Sequence, residues 1–122
     1  MGQIRNFTDL VVWQKAHRLF LEVVKDVEAF PSGLPGRVVA DQLLRSSGSI
    51  SANISEGFGR RKGKEYVHYL IVARGSTTET LNWLLKARDL EWLKGEGFES
   101  RESLIVEILR MLNAMIAQKQ QT

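Results

Sequence analysis

Apolar residues recur along this chain at alternating steps of three and four, the period of one face of an α-helix. Trp13, Ala16, Phe20, Val23, Val27 and Phe30 make the first such stripe. It predicts a helix over about residues 9–30, with Thr8 as N-cap and Phe7 stapled onto Val12. Pro31-Ser32-Gly33 stops it. Val39, Leu43, Ser47, Ile50 and Ile54 predict a second helix over about 36–56, with Gly57 and Gly59 as its C-terminal stop. Tyr66, Leu70, Ala73, Thr77, Leu81, Leu84 and Arg88 predict a third over about 64–93. Gly75 interrupts that stripe, at about 1 kcal/mol relative to alanine, which points to close helix contact. After a turn at Gly95-Glu96-Gly97, the broad apolar face of Ile105, Ile108, Leu109, Leu112, Met115 and Ile116 predicts a fourth helix over about 100–119.

No stretch alternates with period two for long enough to make a strand. The two prolines, Pro31 and Pro35, lie together, so the rest of the chain is free of helix breaks. The fold class that follows is all-α: one domain over residues 1–122, an antiparallel up-down-up-down four-helix bundle. Ser46, Ser47, Gly48, Ser49, Ser51 and Ala52 crowd the middle of the second helix. Their helix propensity is low, so tertiary packing must hold this segment, and their small side chains let a neighbour come close. Trp83 and Trp92 lie off the tightest stripe. They signal either surplus apolar surface for an oligomer or two rings lapping the bundle edge.

Composition narrows the function classes. With no cysteine among 122 residues, disulfides and thiolate metal sites are excluded, and a reducing cytoplasm is the expected compartment. Met1-Gly2-Gln3-Ile4-Arg5-Asn6 opens no apolar run, so no signal peptide is expected. No apolar stretch approaches the roughly 20 residues of a membrane span. The net charge of +3 permits a polyanionic partner without demanding one, so the placement of the charge matters more than its sum.

Arg45, Ser49, Asn53, Glu56 and Arg60 fall on one face of the second helix. Three readings are open: a solvated face, a partly buried polar network, and a catalytic constellation. The network, with Asn53 and Glu56 bonding Ser76 and Glu79 of the third helix, is preferred because the small serines bring that helix close. Catalysis ranks last. Ser49 or Ser51 needs a base, and neither His17 nor His68 has an obvious carboxylate partner. No metal-ligand spacing or phosphate-binding glycine loop occurs, so neither catalytic residues nor a cofactor are expected.

Arg60-Arg61-Lys62-Gly63-Lys64 is the densest charge cluster, at the junction of helices two and three, with Arg37, Arg45 and Arg74 on the same two segments. A turn presenting several cations suits a phosphate backbone, because neutralised phosphates release counterions. A solvated turn is the competing reading. Lys64 stands near a helix start, where the dipole disfavours a cation, and that placement favours a functional reason for the charge.

At these residues the chain resembles a known family. Phe7-Thr8-Asp9-Leu10, Val12-Trp13-Gln14-Lys15-Ala16, Gln42-Leu43, Arg45, Ser49-Ile50, Ala52-Asn53-Ile54, Glu56-Gly57, Gly59-Arg60, Ala73, Gly75-Ser76 and Glu79 resemble, in order and spacing, the bacterial four-helix-bundle family encoded in intervening sequences of large-subunit ribosomal RNA genes. It departs from the family pattern at Leu44, where a second arginine is usual, at Ser46 and Ser47, where alanines are usual, at Ser51, often proline, and at Lys62, where Ser or Thr is common. The resemblance implies an antiparallel bundle and a homo-oligomer, a pentamer by analogy. Related accessory proteins of diversity-generating retroelements form basic barrels that bind nucleic acid and a reverse transcriptase, so RNA or DNA and such a protein are the partners it implies. The expected function is a non-enzymatic, oligomeric nucleic-acid-binding adaptor, for RNA first, working through the basic turn. The alternative is a homo-oligomeric scaffold that binds no nucleic acid.

Overall fold

A computed structural model describes residues 3–60 and 63–121. A short 3-10 turn, Phe7–Asp9, leads into four helices: α1 Val11–Val27, α2 Leu34–Arg60, α3 Gly63–Asp89 and α4 Glu96–Gln120. The helix contacts run antiparallel. Along α2 and α3, Ser46 meets Thr80, Ser49 meets Ser76 and Gly57 meets Tyr66, so one number rises as the other falls. Lys15 with Glu107 and Asp26 with Arg101 show the same for α1 and α4. Tyr66 with Lys119, Arg74 with Asn113 and Phe98 with Arg88 show it for α3 and α4. Each helix packs on two neighbours; the α2–α3 contact is the most extensive and the α1–α4 contact the thinnest.

Leu19, Leu43, Ile50, Ile54, Leu70, Leu84, Ile105, Ile108 and Leu112 are fully buried at the centre. Each such side chain contributes roughly 1.5–3 kcal/mol relative to exposure. The α2 stripe is the predicted one. On α1 the buried line is Val12, Ala16, Leu19 and Val23, about one position round from the predicted stripe, with Trp13, Phe20 and Val27 half-buried at its border. At the end of α3 the core takes Thr80, Leu84 and Ala87, whereas Leu81 is half-buried and Arg88 lies exposed over the Phe98 ring. A stripe drawn on apolar residues alone passes over small and hydroxyl side chains.

The helix ends differ from expectation for identifiable reasons. Thr8 does not cap α1. Asn6 caps the 3-10 turn, its side chain accepting from the Thr8 amide at 2.8 Å. The Asp9 carboxylate closes that turn by accepting from the Arg5 and Asn6 amides. These bonds hold the Asp9 carboxyl below its ordinary range. Phe7 packs edge-on against Trp13. Pro35 falls in the first turn of α2, where its missing N–H costs nothing, so the helix starts at Leu34.

Gly57 and Gly59 do not stop α2, which runs on to Arg60. Gly57 instead lets α3 approach: a Cβ there would stand 2.9 Å from the Tyr69 Cβ. The α3 helix ends in a Schellman motif, with Trp92 N–H bonded to Ala87 C=O and Glu91 N–H to Arg88 C=O. The left-handed position, usually glycine, is Glu91 at φ 62°. Gly95 at φ 63° is the N-cap of α4, which starts at Glu96, four residues before the predicted Ser100.

Trp92 packs on Phe30 and Trp83 lies half-buried against the core, so both rings lap the bundle edge. The large apolar side chains left exposed are others, among them Leu34 and Val38 on α2 and Ile71 and Val72 on α3. Gly75 on α3 is exposed too, with nothing within 4 Å of a would-be Cβ. The close intrachain contact expected at Gly75 is therefore absent.

Candidate nucleic-acid interface

Antiparallel order places the start of α1, the α2–α3 junction and the end of α4 at one end of the bundle. That end gathers Arg5, Arg60, Lys64 and Lys119. Of the predicted turn cations, Arg60 and Lys64 are placed here, whereas Arg61 and Lys62 lie outside the described residues. Arg60 is partly engaged within the chain. Its guanidinium lies 3.0 Å from Glu56, 3.7 Å from Glu65 and 5.6 Å from the centroid of Tyr69. The Glu56 hydrogen bond, then Tyr69 and the two carboxylates, hold its charge more firmly than in a free arginine.

Lys64 is exposed and makes no ion pair among the described residues. Across from it the Lys119 ammonium sits 5.2 Å from the centroid of Tyr66. Between them opens a cleft of about 430 Å3 lined by Gly63, Lys64, Val67, Lys119 and Gln120. The sequence offered no sign of Lys119 as a candidate, because it lies half the chain away from the turn it joins.

The other predicted cations do not gather here. Arg37, near the start of α2, donates to the Ser32 carbonyl at 2.8 Å at the opposite end. Arg45 lies further along α2 and pairs with Asp41 at 2.9 Å. Arg74, at mid-length of α3, donates to the Asn113 side chain of α4 at 3.0 Å. The far end carries Asp26, Glu28, Asp89, Glu91, Glu96, Glu99 and Glu102 among its own cations. Those cations, Lys25, Arg37, Lys86, Arg88, Lys94 and Arg101, nearly balance the seven carboxylates. Asp9, Glu56 and Glu65 stand at the junction end, so the described charges leave only a slight basic excess there.

The polar stripe divides into two. Ser49 and Ser76 hydroxyls meet at 2.9 Å across the α2–α3 seam, and Asn53 donates to the Ser49 carbonyl and hydroxyl at 2.8 and 2.9 Å. Glu56 is exposed and pairs with Arg60 rather than with α3; Glu79 is exposed too. The buried continuation of the network is Thr80, whose hydroxyl lies 2.9 Å from Ser46 Oγ and 2.8 Å from the Ser76 carbonyl. One hydroxyl proton cannot serve both, so Thr80 donating to the carbonyl leaves Ser46 to donate to Thr80. His17 stacks on Trp13, and His68 packs edge-on to Tyr69. Neither joins a serine hydroxyl among the described residues.

A second polar cluster was invisible to local spacing. Arg101 of α4 makes a two-pronged pair with Asp26 of α1 at 2.7 and 2.8 Å, and its third nitrogen lies 3.0 Å from Glu22. The Arg101 and Asp26 side chains are only 15% and 9% exposed. Asp26 hydrogen bonding raises the Arg101 pKa further, against partial desolvation. No described group of three His, Cys, Asp or Glu is placed to hold a metal ion, and no described helix is long and apolar enough to cross a membrane.

A search of curated proteins returned no match. A crystal structure of a protein with unknown function from the S23 ribosomal protein family, from Bacteroides thetaiotaomicron, is similar to this chain with a TM-score of 0.80 at 27% identity. The match covers 87% of this chain and 98% of that one. The family model for the 23S rRNA-intervening sequence protein matches residues 8–114, nearly the whole bundle, and the chain belongs to that family.

Proposed function

We propose that this protein is a non-enzymatic, oligomeric nucleic-acid-binding adaptor that grips RNA phosphates with the end of the bundle where α2 turns into α3. The observation that carries this reading is the gathering of Arg5, Arg60, Lys64 and Lys119 at one end of the bundle. Arg61 and Lys62 add to the same junction in the sequence. Cations brought together repel one another, and a phosphate backbone relieves that repulsion while releasing its own counterions. The sequence carries no base-reading motif, so recognition rests mainly on shape and charge.

The test is fluorescence anisotropy of a labelled structured RNA across a salt series. Each phosphate neutralised contributes about 0.7–0.9 to the slope of log affinity against log salt. Replacing Arg60, Arg61, Lys62 and Lys64 together by alanine should cost at least tenfold in affinity and flatten that slope by about two or more. An unchanged slope would remove the junction from the site.

A second reading, a homo-oligomeric scaffold, is favoured by the exposed apolar side chains Leu34, Val38, Ile71 and Val72. It expects a stable oligomer indifferent to nucleic acid, and a monomer in light scattering would eliminate it.

A further inference from the structure

We propose that the cleft between the start of α3 and the end of α4 takes one unpaired nucleotide of an RNA strand, with Lys64 and Lys119 on its flanking phosphates; this rests on the nucleic-acid reading of the same end. The cleft is about 430 Å3, within the roughly 300–1,000 Å3 typical of small-ligand sites, and so on the scale of a single nucleotide. Its two ammonium groups come from different helices. Lys64 stands in the first turn of α3, where the helix dipole opposes its charge, so an external anion improves its surroundings. Lys119 lies over the face of Tyr66, and this cation–π contact steadies a long side chain at the edge of the cleft.

The rest of the lining separates a single strand from a duplex. Val67 is an apolar wall, and Gln120 carries an amide able both to donate and to accept. At Gly63 a Cβ would meet nothing within 4 Å, which leaves room for close approach. A duplex presents phosphates but keeps its bases stacked inside, so it has nothing to lay on Val67. An unpaired nucleotide can turn its base or ribose onto that wall while its phosphates reach the lysines.

The experiment is anisotropy with a fluorescein-labelled 12-nucleotide single-stranded RNA and a blunt RNA duplex of the same length, against wild type, Lys64→Glu, Lys119→Glu, Gln120→Ala and the far-end control Lys25→Glu. Circular dichroism confirms that each variant is folded. The single strand should bind about tenfold tighter than the duplex. Lys64→Glu and Lys119→Glu should each weaken single-strand binding about tenfold, and Gln120→Ala about twofold. Lys25→Glu, with the same change in net charge, should move it less than twofold. Salt-dependent wild-type binding that both cleft lysine variants retain would overturn the cleft and leave the adaptor reading standing. Equal or tighter binding of the duplex would overturn the unpaired-nucleotide assignment. No binding of either RNA at low salt would overturn the adaptor reading together with the cleft.

Discussion

A missing side chain does opposite things at two glycines of this bundle. Gly57 faces α3, and a Cβ there would stand 2.9 Å from the Tyr69 Cβ and 3.4 Å from the Tyr66 ring. Backbone-anchored atoms cannot swing aside, so the helices would have to separate. Gly57→Ala should lower stability by about 1–2 kcal/mol, overpacking outweighing the roughly 1 kcal/mol gained in helix propensity. Gly75 faces open space, and Gly75→Ala should raise stability by about 0.5–1 kcal/mol. Urea unfolding midpoints check both, and a destabilised Gly75→Ala would place an unseen neighbour against α3. Sequence reading took Gly57 for a helix stop and Gly75 for a close contact. A glycine can end a helix or admit a neighbour, and only the position of that neighbour decides. Glu91 shows the converse, since nothing in a glutamate announces the left-handed backbone it adopts.

At the scale of elements, local periodicity foretold what it physically controls. Four helices, their order and the α2 core line follow from spacing, because a helix buries whatever recurs at its own period. The seam between α1 and α4 escaped because its main polar tie joins Asp26 to Arg101, far apart in sequence. The tie matters because that seam is the thinnest in the bundle. Arg101→Ala would leave Asp26 and Glu22 half-buried with their charges less compensated. It should cost about 2–3 kcal/mol, the range for a charge-assisted pair largely shielded from water. Arg18→Ala, removing an exposed partner of the same Glu22, should cost less than about 1 kcal/mol. Arg101→Lys should fall between them, since an ammonium cannot reproduce the two-pronged geometry. Chemical denaturation of the three variants provides the check; equal losses for Arg18 and Arg101 would mean that the buried tie adds nothing beyond a surface pair.

On the scale of the whole molecule, the net charge of +3 says little about the electrostatics, because what matters is which cations the fold brings together. The basic turn was readable as a run of letters. Its meeting with Lys119 and Arg5 was not, since that requires the up-down-up-down path of the chain. The same path carries Arg37 to the opposite end and leaves Arg45 and Arg74 along the sides, engaged by Ser32, Asp41 and Asn113. At about 0.15 M salt the screening length is near 8 Å, shorter than the bundle, so a phosphate at the basic end scarcely feels them. Replacing Arg37, Arg45 and Arg74 together by alanine removes three positive charges and should still leave RNA affinity within about threefold of wild type, with the salt slope unchanged. If RNA lay along the side of the bundle, the same variant would lose up to three phosphate contacts and the slope would fall by about two or more. Measured beside the turn variant, it separates a local site from general attraction to a basic protein. Loss of binding only in the turn variant means that RNA meets the bundle end-on; equal losses in both mean that the attraction is spread over the bundle rather than held at its end.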